Sequence, residues 1–179
     1  RTNTPRLVTE INTPGPTVSA ADVDSLKRRL LAARPRPNAV ALCGSLPPGA
    51  RADTYRRWIK AFTRQRMPTV LDTSGEALRQ GLAARPWLIK PNRQEAQELL
   101  GDRLTTRRAV VRAAKALLAR GPAVVILSLG RDGAVLATAA PRGVWLATPP
   151  RVPVDSAVGA GDALVGGRER DICRERSLF

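Results

Sequence analysis

Aromatic residues make up only 3% of this 179-residue chain, and there are just two cysteines, Cys43 and Cys173. Cysteines so few and so far apart form neither a metal-ligand spacing nor a disulfide framework, and a reducing cytoplasm is the expected location. No apolar run approaches the roughly 18 residues that a membrane helix needs, and the first residues carry no export pattern. Neither a membrane partner nor export is therefore expected. Acidic residues are outnumbered, 15 against 30 Lys and Arg, for a formal net charge of +15. Such a balance invites a nucleic-acid reading, in which affinity for DNA or RNA would depend steeply on salt. The arginines are scattered through every segment, however, without a basic block or interleaved aromatics. No nucleic-acid partner is expected, and the positive potential suits attraction of phosphorylated small molecules.

At this length one domain with a sizeable core is expected. Apolar runs alternate with helical patterns. Residues 39–43, 69–72, 87–90 and 123–128 read as strands, and residues 134–138 with 143–147 as a hairpin. Between them, Tyr55, Trp58, Ile59 and Phe62 recur at helical spacing within residues 51–65. Residues 75–83 and 92–100 are expected as helices, as are residues 106–120, with Val110, Ala113, Ala114, Leu117 and Leu118 on one face. This βαβα order predicts a mainly parallel sheet covered by helices on both faces. Ligands in such sheets bind beyond the carboxyl ends of the strands. Gly44-Ser45, Asp72, Lys90-Pro91-Asn92 and Ser128-Leu129-Gly130 all fall there. Trp58, Trp87 and Trp145 read as core or pocket packing, and Asp72 and Glu76 as structural hydrogen-bonding groups rather than metal ligands.

Near the C-terminal end runs Val154-Asp155-Ser156-Ala157-Val158-Gly159-Ala160-Gly161-Asp162-Ala163, followed by Leu164 and Val165. A glycine-rich turn feeding a helix N-terminus is an anion site, because unpaired amides and the helix dipole both favour negative charge. A carboxylate at such a place, Asp162, suits removal of a proton from an attacking hydroxyl while the amides of Gly159, Ala160 and Gly161 hold the charge of a transferring phosphoryl group.

Four further motifs precede it: Cys43-Gly44-Ser45-Leu46-Pro47-Pro48-Gly49, Asp72-Thr73-Ser74-Gly75-Glu76-Ala77-Leu78, Lys90-Pro91-Asn92-Arg93-Gln94-Glu95 and Ser128-Leu129-Gly130-Arg131-Asp132-Gly133-Ala134. In this order and spacing, over roughly residues 1–167, the set resembles the ribokinase-like sugar kinases of the phosphofructokinase-B family. Glu76-Ala77-Leu78, Pro86-Trp87-Leu88-Ile89-Lys90-Pro91-Asn92-Arg93 and Val165-Gly166-Gly167 are most similar to its 1-phosphofructokinase branch. Tagatose-6-phosphate kinases and minor 6-phosphofructokinases stand just behind. The resemblance implies an α/β, ribokinase-like three-layer α/β/α fold with a mainly parallel sheet. It implies transfer of the ATP γ-phosphate to the 6-hydroxyl of fructose 1-phosphate, with ATP and Mg2+ as cofactors and a small sugar phosphate as partner.

By the same resemblance Asp162 is the general base and also touches the acceptor. Asn92 and Glu95 correspond to the family's Asn-x-x-Glu, which orders magnesium and its waters; the same pair equally suits a helix-capping box. Lys90, Asn92, Ser128, Gly130, Gly133, Ser156 and Val158 are implied for ATP, with the glycines allowing close backbone approach. Ser45, with Arg1 and Asn3, is implied for the non-reacting phosphate of the sugar, which a guanidinium fork suits. The family's lid strands, which serve its homodimers, and its first sugar-gripping strands find no counterpart here. Residues 168–179 are mostly charged where the family carries an apolar helix. The chain is therefore expected to be a partial domain over residues 1–167 with a divergent tail, and a catalytically dead nucleotide-binding fragment is the rival reading.

Overall fold

A computed structural model describes residues 15–148. Within them, α1 (Ala20–Ala32) is followed by β1 (Val40–Cys43), α2 (Thr54–Arg64), β2 (Thr69–Asp72), α3 (Gly75–Leu82), β3 (Leu88–Ile89), α4 (Arg93–Leu100), α5 (Arg107–Ala119), β4 (Val124–Ser128), a 3-10 turn at Gly130–Asp132, β5 (Ala134–Ala139) and β6 (Arg142–Ala147). One six-stranded sheet holds the strands in the order β1-β2-β3-β4-β5-β6. β1 to β4 pair in parallel, and β4-β5-β6 pair antiparallel as the expected hairpin.

The period-two alternation of side chains explains the layering. Val40, Leu42, Leu71, Ile89, Val125, Leu127, Val135 and Ala137 share one face, and they form a single core with residues of α2, α3, α4 and α5. The helical spacing that flagged α2 delivers Trp58, Ile59 and Phe62 into that core, where Ile59 and Phe62 are completely buried. Each such side chain contributes about 1.5–3 kcal/mol by leaving water. On the opposite face Val70, Leu88 and Ile126 are buried as well. Burial on both faces is why β2, β3 and β4 read as continuous apolar runs rather than alternating ones.

Two differences from the sequence expectation have local causes. α1 was not among the expected elements, although Ser19 and Asp22 close a full capping box at its start. It buries no residue completely, and Val23, Leu30 and Leu31 pack it against the core only in part. The third strand is only Leu88–Ile89, because Pro91 has no N–H to continue the ladder. Trp58 is in the core as expected, whereas Trp145 is 49% exposed and lies over Gly143 instead of packing inside.

Candidate functional site

Parallel pairing brings the carboxyl ends of β1, β2, β3 and β4 to one edge of the sheet. Cys43 is in register with Asp72, Leu71 with Ile89, and Ile89 with Val125. Beyond β3, an isolated parallel bridge joins Asn92 to Ser128, and the Ser128 N–H donates to the Pro91 carbonyl at 3.0 Å. Lys90-Pro91-Asn92 and Ser128-Leu129-Gly130 therefore lie side by side, as the sequence reading requires.

The first loop, at Gly44-Ser45, is held at three points. The Gly44 N–H donates to the Asp72 carbonyl at 2.8 Å. The Gly44 carbonyl accepts from the Thr73 hydroxyl at 2.8 Å and from the Tyr55 phenol at 3.1 Å. Tyr55 also donates to the Cys43 carbonyl, and burial pushes its phenol above the ordinary value, which keeps the donated proton in place. Gly44 sits at φ +83°, a conformation side chains rarely adopt, so glycine is needed for this turn. Ser45 follows it, exposed to solvent.

Lys90 does not lie open at a strand end. Its ammonium is 3.1 Å from Asp72 Oδ1, with the side chains 7% and 15% exposed. Asn92 is the N-cap of α4, and the capping box is complete. The Glu95 N–H donates to Asn92 Oδ1 at 2.9 Å, and the Asn92 N–H donates to Glu95 Oε2 at 2.8 Å. Burial pushes the Glu95 carboxyl above the usual carboxylate range; the Asn92 N–H opposes this, the charge of Asp72 adds to it, and Lys90 offsets part of it. Among the described residues no three His, Cys, Asp or Glu side chains gather to hold a metal ion. Magnesium, however, takes hard oxygen ligands and keeps several waters, so one half-buried carboxylate beside an amide oxygen is a donor set that fits it.

After β4 the chain turns through Gly130 at φ +61° and Gly133 at φ +95°, with the Leu129 N–H donating to the Gly133 carbonyl at 2.8 Å. Arg93, in the first turn of α4, reaches Asp132 in this loop at 2.7 Å. The sequence reading missed that ion pair, the Asp72–Lys90 pair and the Tyr55 and Thr73 contacts. Each joins residues distant along the chain, and only the strand register could have announced them. Arg1, Asn3, Ser156, Val158, Gly159, Ala160, Gly161 and Asp162 lie outside the described residues.

The model of the pfkB family carbohydrate kinases matches residues 4–175. The 1-phosphofructokinase of Escherichia coli K12 is 40% identical over 160 residues, which are 89% of this chain and 51% of that protein. That of Rhodobacter capsulatus is 42% identical over 161 residues, 89% of this chain and 50% of that one. The crystal structure of phosphofructokinase-2 from Escherichia coli in complex with substrates and products superposes with a TM-score of 0.82 at 30% identity, over 92% of this chain and 53% of that one. The chain thus spans about half the length of the curated relatives it matches.

Proposed function

Because the chain belongs to the pfkB family of carbohydrate kinases, we propose that it carries the nucleotide-binding and proton-abstracting part of an ATP-dependent sugar-phosphate kinase, with fructose 1-phosphate as acceptor. The observation that carries this reading is the meeting of Lys90, Asn92 and Glu95 with the Ser128–Gly133 turn at one carboxyl edge, joined by the Asn92–Ser128 bridge. Similarity to several 1-phosphofructokinases favours the acceptor. Likeness to phosphofructokinase-2 from Escherichia coli in complex with fructose-6-phosphate supports that sugar as the second reading.

In this mechanism Lys90, Asn92, Ser128, Gly130 and Gly133, with Ser156 and Val158, hold ATP. The loop at Ser45, with Arg1 and Asn3, holds the phosphate that does not react. Asp162 takes the proton of the sugar 6-hydroxyl as its oxygen bonds to the γ-phosphorus. The bond to the β-γ bridging oxygen breaks, leaving ADP, while the amides of residues 159–161 stabilise the charge on the phosphoryl oxygens. Asn92 and Glu95 would hold magnesium, which would supply positive charge to the nucleotide phosphates. Positioning accounts for most of the rate in such a transfer, with the base adding about 10²–10⁴-fold.

Titration calorimetry with Mg-ATP, on a sample shown folded by circular dichroism, should give magnesium-dependent heat; no heat would overturn the reading. ADP release is then compared for fructose 1-phosphate, fructose 6-phosphate and tagatose 6-phosphate, with fructose 1-phosphate expected to be fastest. Asp162→Asn should abolish turnover and leave nucleotide binding in place. Binding without turnover on any of the three sugars would favour a nucleotide-binding fragment instead.

A further inference from the structure

Resting on the reading that this edge holds nucleotide phosphates, we propose that Asp72 is a positioning residue, which fixes the Lys90 ammonium in the one place from which it meets those phosphates. Lys90 is the only charged residue among the buried described residues. Of the ion pairs among the described residues, Asp72–Lys90 alone has both side chains no more than 15% exposed. Stability does not call for such a pair. Desolvating two charges offsets their attraction, and an apolar replacement of both is often neutral or better. Placement of the pair argues for another role. It sits at the carboxyl edge, on the residues that end β2 and follow β3, beside the capping box of α4.

The mechanical argument concerns what holds Asp72 itself. Its carbonyl accepts the Gly44 N–H at 2.8 Å, and the next residue, Thr73, donates to the Gly44 carbonyl at 2.8 Å. In addition the Leu71 carbonyl accepts the Lys90 N–H at 3.1 Å. The carboxylate is thus mounted on a backbone tied to both neighbouring strands. A free lysine side chain is long and flexible, and freezing it on a ligand carries a large rotamer entropy. A partner that has already frozen it removes that cost at the moment of binding. An ammonium has three N–H donors, so one paired with Asp72 at 3.1 Å still has donors for anionic oxygens.

The test is a double-mutant cycle read by Mg-ATP calorimetry on the full chain, with thermal melting as the control for folding. Lys90→Met and Asp72→Ala should each weaken nucleotide affinity about tenfold, and the double variant should be no weaker than Lys90→Met alone, because both changes remove the same contact. Asp72→Asn keeps an oxygen acceptor for the ammonium and should recover most of the affinity. A merely structural Asp72 would lower the melting temperature and leave the affinity of the folded protein unchanged, which would overturn the proposal. Additive losses in the double variant would overturn it too. Should Asp72→Ala not fold, Asp72→Glu carries the test: it keeps the charge but moves the carboxylate by one methylene, and affinity equal to wild type would refute positioning. Wild-type affinity in Lys90→Met would instead refute the nucleotide role of Lys90, a failure distinct from Lys90→Met being weak while Asp72→Ala is normal.

Discussion

Asn92 carries two roles that one substitution series can separate. As N-cap of α4 it accepts the Glu95 N–H at 2.9 Å, and its own N–H donates to Glu95 at 2.8 Å. Asn92→Ala removes the side-chain half of this box. Because Asn92 is exposed, water replaces the lost acceptor, and the loss should be that of an ordinary N-cap, about 1 kcal/mol. For a chain of this size that lowers the melting temperature by about 2–4 °C. Asn92→Ser restores a capping oxygen and should return the stability to within a few tenths of a kcal/mol of wild type. Its shorter side chain withdraws the amide oxygen proposed for the metal, so magnesium-dependent ATP binding should stay weak in both variants. Thermal melting and Mg-ATP calorimetry on the same samples read the two effects. The reasoning fails if serine is as unstable as alanine, and the metal role fails if serine binds Mg-ATP as well as asparagine does.

Three other outcomes are expected. Gly81 lies inside α3, and a Cβ there would sit 2.6 Å from Leu71 Cδ2, a side chain with no exposure; overpacking of about 1–3 kcal/mol should outweigh the roughly 1 kcal/mol gained in helix propensity, so Gly81→Ala should lower the urea midpoint, and a raised midpoint would refute the close packing. The folded-state pKa of Glu95 is raised, chiefly by burial, so its contribution is fully present below the ordinary glutamate value and is lost as pH rises through the folded one. Stability measured against Glu95→Gln should therefore fall as pH is raised from about 4 toward neutrality, and a flat or rising difference would contradict the burial. Finally, we propose that residues 168–179 form a tail outside the kinase portion; their amides should exchange far faster than those of β4, and comparable protection would place them in the fold.

Much of the architecture was legible because the sheet is buried on both faces. Val70, Leu71, Leu88, Ile89, Val125 and Ile126 had to be apolar whichever way they pointed, which left runs that could not be mistaken for loops. Asn92 and Glu95 were legible for a different reason: a capping box is a local interaction, spelled out within four residues. Lys90 was harder. Its motif says nothing of a partner, and only the register of β2 against β3 brings Asp72 to its ammonium. Trp145 was misplaced because an aromatic residue suggests burial wherever it occurs, while its strand, β6, has one face left partly open. α1 was overlooked although it was legible, in Ser19 and Asp22 at capping-box spacing and in Val23, Leu26, Leu30 and Leu31 at helical spacing.

Among the described residues the strand order repeats the chain order without a single exchange. None of these six strands must wait for a later one of them to be inserted between it and its neighbour, as happens when a sheet grows outward from a central strand in both directions. Each new strand can instead join the edge laid down just before it, across one helix between β1 and β2 and between β2 and β3 and across two between β3 and β4, and the final hairpin pairs β5 with β6 through immediate sequence neighbours. Contacts made by chain neighbours are the cheapest in loop-closure entropy, so the sheet can be assembled as the chain leaves the ribosome, one strand at a time, with the newest edge always the next template.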